Sequence, residues 1–249
     1  MTLILNTWIF EADVQNGAKQ EDLVDRVAAL GADGIEVRRE YFKDFESELP
    51  EVAKRATEHN LIVNYSVPDV LFEDNGSLNP KLGDYFKEGQ ILGLEKIKFN
   101  IGHFDKFTGD LKMAVSNLPL NEIQLNVEND QTQVSGTVVA IKTFLDAAYK
   151  AGLTGLGYVY DLGNWAFTGG DAVAAAKELA PYTHYIHLKN TTVDNGKLGT
   201  PDDLDTGIFD WRDLISILPS DQSYALEYPM DSDEQISSQI QLFKNEVGA

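Results

Sequence analysis

One short stretch near the middle of the chain, residues 123–130, constrains the fold most strongly. Apolar and polar side chains alternate up to Glu128, which is the two-residue period of a β-strand whose faces meet different surroundings. The stretch therefore predicts a strand that ends in a carboxylate. Three later segments, at residues 158–161, 185–189 and 225–227, repeat this design and stop at or beside an acid or an imidazole.

Strand-like and helix-like segments alternate along the whole chain, with a mean spacing of roughly thirty residues per unit. Strands are predicted near residues 3–9, 34–38, 61–67, 95–101, 122–128, 155–161, 182–189 and 223–228. Helices are predicted between them, for example at residues 20–30, 50–59, 136–151, 170–179 and 210–218. Eight such units in 249 residues predict an α/β fold, a single (β/α)8 TIM barrel in one domain spanning residues 1–249.

The positions of polar residues within the strands support closure into a barrel. If Ile123 and its apolar partners face the outer helices, the alternate residues point into the lumen. These are Asn6, Trp8, Glu36, Arg38, Asn64, Ser66, Lys98, Asn100, Gln124, Asn126, Glu128, Asp161, His187, Lys189 and Glu227. Burying them against helices would be costly, so we expect them to converge at the C-terminal ends of the strands, where barrel active sites are built. The same rule predicts that His184 points outward.

Four side chains at strand ends form a candidate metal site. They are Glu128, Asp161, His187 and Glu227. Three carboxylates and one neutral imidazole carry a formal charge of −3, which a divalent ion largely offsets. Oxygen and imidazole ligands suit Mn²⁺ or Mg²⁺, and also Co²⁺ or Zn²⁺. The alternative is that each acid pairs with a lumenal base, for which the chain offers Arg38, Lys98 and Lys189.

Other lumenal residues are candidate substrate contacts. Arg38 could clamp a carboxylate or phosphate through two hydrogen bonds, although an internal ion pair with Glu36 or Glu128 is the alternative. Lys189 could act as an acid or electrophile, and Trp8 could stack on a ring. The predicted substrate-binding set is Glu36, Arg38, Lys98, Asn100, Asn164, Lys189 and Trp8.

The amino-acid composition indicates which binding partners and which cellular compartment are expected. Forty acidic and twenty basic residues give a formal charge of −20 at pH 7, which repels nucleic acid and anionic membrane surfaces. The absence of cysteine excludes disulfides, thiolate metal sites and a cysteine nucleophile. No signal-like or membrane-length apolar run is present. We expect a cytoplasmic protein that binds a small molecule, not nucleic acid or membrane.

The ordered series of motifs resembles the xylose isomerase-like barrel superfamily, in its sugar phosphate isomerase/epimerase branch. The matching pieces run through essentially the whole chain, at residues 5–8, 31–38, 126–129, 161–165, 185–189, 207–211 and 226–228. The resemblance implies that the four strand-end residues bind one divalent metal. It also implies a sugar or cyclitol substrate, proton transfer through an enediolate by Glu128 and Glu227, and a homodimer or homotetramer.

Departures from the family pattern keep other functions open. Ketose 3-epimerases of the superfamily carry a histidine, an arginine and an acid where this chain has Asn164, Val193 and Val134. The substrate contacts of that epimerase type are therefore absent. The alternatives are a metal-dependent dehydratase of the inosose type and a non-catalytic barrel that binds a sugar or metabolite as a sensor.

Overall fold

A computed structural model describes residues 1–248, and eight parallel strands among them close into a barrel. The barrel strands are β1 (Leu3–Asn6), β2 (Gly34–Arg38), β3 (Ile62–Phe72), β4 (Lys96–Gly102), β5 (Gln124–Glu128), β6 (Gly157–Asp161), β7 (Thr183–Leu188) and β10 (Ser223–Leu226). Their order around the barrel is β1-β10-β7-β6-β5-β4-β3-β2. An antiparallel hairpin of β8 (Thr192–Asp194) and β9 (Lys197–Gly199) follows β7. The predicted (β/α)8 TIM barrel is confirmed.

Helices connect the strands on the outside of the barrel. Within residues 1–248 they are α1 (Glu11–Gln15), α2 (Gln20–Ala29), α3 (Phe45–Glu58), α4 (Leu82–Leu92), α5 (Leu111–Ala114), α6 (Val138–Lys150), α7 (Trp165–Thr168), α8 (Ala172–Leu179), α9 (Trp211–Ile217) and α10 (Asp233–Val247). Side chains at Thr137, Asp171 and Asp210 accept hydrogen bonds from the first turns of α6, α8 and α9, which explains where these helices begin. In the part of the chain that the structure describes, none of the helices is long and apolar enough to cross a membrane.

The helix predicted at residues 50–59 corresponds to α3, and its predicted start at Pro50 is wrong. The helix α3 begins at Phe45, because the Asp44 side chain accepts from Glu46 N and Glu48 Oε1 accepts in return from Asp44 N at 3.0 Å. This reciprocal cap satisfies amide groups that would otherwise lack partners. Pro50 then lies inside the helix, near its N-terminal end.

The alternating pattern of the strands separates two apolar clusters. Outward residues such as Leu125 and Val127 join the large core between strands and helices. A second, smaller cluster lies inside the barrel and contains Ile4, Val159, Tyr185 and Ala225. These four residues precede lumenal polar positions on their own strands by two, as the two-residue period requires. The inward and outward faces of the strands therefore follow the pattern of the sequence.

Strand pairing also arranges the lumen in levels. The pairs Asn6 with Glu36 and Glu36 with Asn64 connect polar inward positions on neighbouring strands. Alternate strands contribute side chains to one level of a tilted barrel. We call one such level the lower lumen layer; it contains Ile4, Asn64, Asn126 and Tyr185. Beneath it Gly34 makes room, because a Cβ there would lie 2.5 Å from Ile4 Cδ1 and 2.6 Å from the backbone oxygen of Ile62.

The strand register shifts where β6 meets β7, and this changes the direction of one side chain. Tyr158 pairs with Thr183, but Val159 pairs with Tyr185, so His184 has no partner in the ladder. Its imidazole Nδ1 lies 3.0 Å from the side-chain nitrogen of Gln124, a residue of the lumenal face. The prediction that His184 points outward is therefore wrong, because strict alternation does not hold across an irregular pairing.

Candidate metal centre and active site

The four predicted metal ligands meet at the C-terminal end of the barrel. We call them the lumenal quartet: Glu128 at the end of β5, Asp161 at the end of β6, His187 near the end of β7 and Glu227 directly after β10. All four are buried, and one ligand atom from each lies within 4.8 Å of those of the others. Parallel strands bring them together because their C-terminal ends open onto one mouth.

His187 is held between carboxylates on both sides of its ring. Its Nδ1 lies 2.9 Å from Glu227 Oε2 and 3.1 Å from Glu128 Oε1. Its Nε2 lies 3.1 Å from Glu36 Oε2 on the opposite side. A histidine that binds a metal through one nitrogen usually donates its other N–H to a carboxylate, and Glu36 is in that position.

Asp161 is oriented by the turn that follows it. Its Oδ1 accepts hydrogen bonds from the backbone N–H groups of Gly163 and Asn164, at 2.9 and 3.1 Å. Its Oδ2 is buried and accepts no well-oriented hydrogen bond, although Lys189 Nζ lies 2.6 Å away. The turn therefore uses one oxygen of Asp161 and leaves the other in contact with Lys189.

Two asparagines that the sequence analysis gave no role support these acids. Asn129 Nδ2 donates to the backbone oxygen of Asp161, and Asn129 Oδ1 accepts from Asp161 N and from the Tyr158 hydroxyl. Asn6 Nδ2 donates to Glu36 at 2.6 Å and to Glu227 at 3.0 Å. The position of Asn129 directly after Glu128 and the lumenal parity of Asn6 were the available signals.

Each acid of the quartet is contacted by its own cation. Lys98 Nζ lies 2.7 Å from Glu128 Oε2, Lys189 Nζ lies 2.6 Å from Asp161 Oδ2, and Arg38 Nη1 lies 3.1 Å from Glu227 Oε1. Lys98 also reaches Glu227 at 3.5 Å and Glu36 at 3.8 Å. The ion pairs that the sequence offered as the alternative to a metal are thus present, around the same carboxylates.

Burial and mutual attraction shift the pKa values of this cluster. Burial opposes ionisation of Glu128, but Lys98 and His187 outweigh it and lower the Glu128 pKa to about 2. The pKa of Glu227 lies well below its usual value, because Lys98, His187 and Lys189 overcome the cost of burial. Burial, aided by the two glutamates, raises the pKa of Asp161 to about 6 despite Lys189. Burial opposes the charged imidazole of His187, yet Glu36 and Glu227 raise its pKa well above 6.5.

The quartet and its surroundings fit a divalent ion. The donors are oxygens and one imidazole nitrogen, the Asp161 Oδ2 atom is buried and is not used by the turn amides, and Glu36 can hold the second nitrogen of His187. The charges around the quartet agree with this assignment. Four acids, two lysines and one arginine leave one negative charge when His187 is neutral, and the residues counted are Glu36, Glu128, Asp161, Glu227, Lys98, Lys189 and Arg38.

A cavity of about 230 Å³ opens directly above the quartet, and we call it the mouth cavity. Six of the seven predicted substrate contacts line it: Trp8, Arg38, Lys98, Asn100, Asn164 and Lys189. The seventh, Glu36, is 1% exposed and lies beneath the quartet, against His187. The lining also includes residues that were not predicted to contact substrate, which are Ser66, Val67, Pro68, Phe99, Asp130 and Gln131; of these, only Ser66 was predicted to face the lumen.

Trp8 reaches the mouth cavity from a short 3-10 helix. The predicted first strand extended to residue 9, but β1 ends at Asn6, whose side chain accepts from Trp8 N and starts the helix. The Trp8 ring lies 5.6 Å from the Arg38 guanidinium and 5.4 Å from Lys189 Nζ. It therefore supplies an apolar wall with two cations beside it.

A larger cavity of about 420 Å³ lies outside the barrel, beside the start of α6. Its lining includes Ile101, His103, Phe104 and Val139, and it contains none of the predicted site residues. Size alone therefore does not identify the site. The concentration of buried, paired ionisable groups does, since such groups are typical of active sites.

Fold and site together define a (β/α)8 barrel with a candidate metal centre at the C-terminal ends of its strands. The sequence matches no model of a known protein family, and a search of curated proteins finds no match either. The comparison with solved structures, in contrast, finds the same architecture in many proteins.

Three of these structures illustrate the likeness. The probable 3-DHS dehydratase AsbF from Bacillus anthracis is 16% identical, with 98% of this chain and 99% of that chain covered and a TM-score of 0.73. D-Psicose 3-epimerase from Clostridium cellulolyticum H10, solved with D-tagatose, is 10% identical, with 99% of each chain covered and a TM-score of 0.67. The IolI protein, described with a binding zinc atom, is 14% identical, with 100% and 98% covered and a TM-score of 0.67. The likeness confirms the (β/α)8 TIM-barrel fold.

Proposed function

We propose that this protein is a divalent-metal-dependent isomerase or epimerase that moves a proton next to the carbonyl of a small sugar or cyclitol derivative. The observation that carries the proposal is the convergence of the lumenal quartet, with ligand atoms within 4.8 Å of one another, directly below the mouth cavity. Epimerases and a dehydratase among the structural neighbours support an enzymatic role.

The lumenal quartet would hold one divalent ion, with Mn²⁺ or Mg²⁺ preferred because oxygen ligands dominate. When bound, such an ion supplies polarisation of the substrate carbonyl and of the neighbouring hydroxyl, which lowers the cost of an enediolate. Glu36 would accept a hydrogen bond from the protonated Nε2 of His187. The lone pair of His187 would then lie on Nδ1, which faces Glu128 and Glu227.

Glu128 and Glu227 would exchange the proton, because both carboxylates line the mouth cavity. One of them accepts the proton of the substrate C–H bond, and the electron pair of that bond enters the enediolate. In the metal-free protein Lys98 and His187 hold Glu128 in its ionised form, which is the form that can accept a proton. Return of the proton to the neighbouring carbon isomerises the substrate, and return to the opposite face of the same carbon epimerises it.

The remaining lining residues would position the substrate. Lys98 and Lys189 would stabilise negative charge on its oxygens, since both are buried and face the mouth cavity. Trp8 would pack against the carbon skeleton, and Arg38, Asn100 and Asn164 would bind hydroxyl or anionic groups.

Dehydration is the second candidate, because a probable dehydratase is among the structural neighbours. Val134 and Val193 are 41% and 53% exposed and do not line the mouth cavity, so neither takes the place of the acid or the arginine of the ketose 3-epimerases. In a dehydratase the same C–H bond breaks first. The neighbouring C–O bond then breaks, and Lys189 would protonate the departing hydroxyl, which leaves as water.

A panel of ketoses, aldoses and cyclitols in D₂O tests these functions. The protein is loaded with Mn²⁺ and compared with Glu128→Gln, Glu227→Gln and the surface control Glu122→Gln. An isomerase or epimerase incorporates deuterium at carbon, and a dehydratase also loses a hydroxyl. We expect both lumenal variants to lose this activity and the control to retain it. Binding of a panel compound without exchange or water loss would instead identify the non-catalytic barrel.

Three further expectations belong to the same proposal. We propose a cytoplasmic location, assembly as a homodimer or homotetramer, and a small-molecule partner in place of nucleic acid or membrane. The formal charge of −20 supports the choice of partner.

A further inference from the structure

Two of the buried lysines, Lys98 and Lys189, contact the same carboxylate oxygens that a metal ion would need. Lys98 Nζ lies 2.9 Å from Oε1 and 2.7 Å from Oε2 of Glu128, so it engages both oxygens of that residue. Lys189 Nζ lies 2.6 Å from Asp161 Oδ2 and 3.5 Å from Glu227 Oε2. Both ammonium groups therefore contact carboxylate oxygens of the quartet, and both lysines also line the mouth cavity.

At Asp161 a lysine and a metal ion would compete for the same atom, because only one carboxylate oxygen is available to bind an ion. The turn amides of Gly163 and Asn164 use Oδ1, and that leaves Oδ2 as the ligand atom. Lys189 is already in contact with Oδ2. An ion bound there would be a second cation within a few ångströms of the ammonium group, and like charges at such distances in a buried site repel strongly.

We propose that Lys98 and Lys189 neutralise the quartet in the metal-free protein and exchange partners when a divalent ion binds, turning their ammonium groups toward substrate oxygens in the mouth cavity. The second half of this statement rests on the proposed function. Both side chains are long and flexible, both line the mouth cavity, and Lys189 Nζ lies beside the Trp8 ring. The exchange would couple the ion to the substrate, so that each increases the affinity for the other.

The sign of the expected effect separates this exchange from a merely supporting role. A lysine that only positions Glu128 or Asp161 would weaken ion binding when it is removed. A lysine that competes with the ion would strengthen ion binding when it is removed, because a repelling charge is lost. Electrostatic repulsion by a buried charge exceeds the contribution of one hydrogen bond, which favours the second result.

Calorimetric titration of the full chain with Mn²⁺ and with Mg²⁺ tests the exchange. Lys98→Met and Lys189→Met are compared with Lys142→Met, a surface lysine that pairs only with Asp146 among the acids. We expect at least about tenfold tighter binding by each lumenal variant and unchanged binding by the control. Unchanged or weaker binding by both lumenal variants would overturn the exchange.

A measurement on the unaltered protein covers the case in which a variant does not fold. In the metal-free protein, nitrogen-15 spectra should show two lysine ammonium groups protected from solvent exchange. Addition of diamagnetic Mg²⁺ should shift both signals and increase their exchange with water, whereas unchanged signals at saturation would contradict the proposal.

The outcomes also distinguish this proposal from the proposed function. Deuterium exchange into a substrate together with unaltered ion affinity in both lysine variants would remove only the lysine exchange. Ion binding by Lys98→Met and Lys189→Met, but not by the unaltered protein or Lys142→Met, would support the exchange, because it would show that the lysines block the ion. Failure of all four proteins to bind either ion would overturn the exchange and the metal-dependent function together.

Discussion

The lumenal quartet and the lower lumen layer lie on the inward faces of the same barrel, yet their chemistry is opposite. On β7, Tyr185 packs with Ile4 in an apolar cluster, and His187, two residues further, is surrounded by carboxylates. At the end of β10, Ala225 and Glu227 repeat this change within two residues. Alternation along a strand thus decides which side chains point inward, while the distance from the mouth decides which chemistry is tolerated there.

The difference teaches how charge is carried inside this barrel. The upper level holds ionised groups because cations, amides and the open mouth cavity compensate them. The side chains of Ile4, Asn64, Asn126 and Tyr185 in the lower lumen layer carry no charge, although polar atoms of the last three are buried without a hydrogen-bond partner among residues 1–248. Changes at the two levels should therefore have separable effects on ion binding and on stability.

The largest expected effect is on ion binding at the upper level. Asp161→Asn keeps an oxygen for the turn amides but replaces the ligand atom Oδ2 by an NH₂ group, so the affinity for Mn²⁺ should fall by more than about 100-fold. Glu36→Gln, which changes only the partner of His187, should cost about 10–100-fold. Calorimetric titration measures both, and equal affinities in all three proteins would contradict the assignment of the quartet.

The next effect concerns the stability of the metal-free protein. Lys98→Met removes the ammonium group that contacts both oxygens of Glu128 and leaves His187 as the remaining partner of this buried carboxylate, which should lower the free energy of unfolding by up to about 3–5 kcal/mol. Saturating Mn²⁺ should recover much of this loss. Urea unfolding with and without the ion provides the measurement, with Lys142→Met as a surface control expected to change stability by less than about 0.5 kcal/mol. A loss that the ion does not reduce would argue against competition at these acids.

The pH dependence of the free energy of unfolding should reflect the titratable groups of the upper level. The raised pKa of His187 contributes stability that is complete below pH 6.5 and is lost as the pH rises through its folded value. The raised pKa of Asp161 contributes stability below pH 3.8 that is lost as the pH rises through about 6. The lowered pKa of Glu128 contributes stability above pH 4.5 that is lost as the pH falls toward 2.

These shifts place the stability maximum of the metal-free protein at mildly acidic pH. Ion binding should move the maximum upward, because the ion displaces protons from His187 and Asp161. Thermal unfolding across pH 4–9, with EDTA or with Mn²⁺, measures the shift. Identical profiles in the two conditions would show that the ion does not bind at these groups.

The smallest effect is expected in the lower lumen layer. Ile4→Val removes one buried methyl group from the apolar cluster and should reduce the free energy of unfolding by about 1 kcal/mol. Its affinity for Mn²⁺ should equal that of the unaltered protein, as measured by the same titration. A marked change in ion affinity would mean that the two levels are not independent.

The sequence by itself determined the barrel and the side chains that face its lumen. Strand spacing predicted the eight units, and strand alternation predicted the inward direction of Glu128, Asp161, His187 and Glu227, which the structure brings together. This worked because both properties are local, since a strand of two-residue period has only two faces. The same alternation failed at His184, where an irregular pairing breaks the period.

Only the tertiary structure decided which atoms meet. Asn6 and Glu227 share a hydrogen bond across 221 positions, and Glu36 reaches His187 across 151 positions. The two oxygens of Asp161 have different partners, the turn amides at Oδ1 and Lys189 at Oδ2. The contact with Lys189 depends on how β6 and β7 pair. Such contacts follow from strand register and barrel closure, which fix distances to within an ångström, whereas spacing along the chain fixes only the face on which a side chain lies.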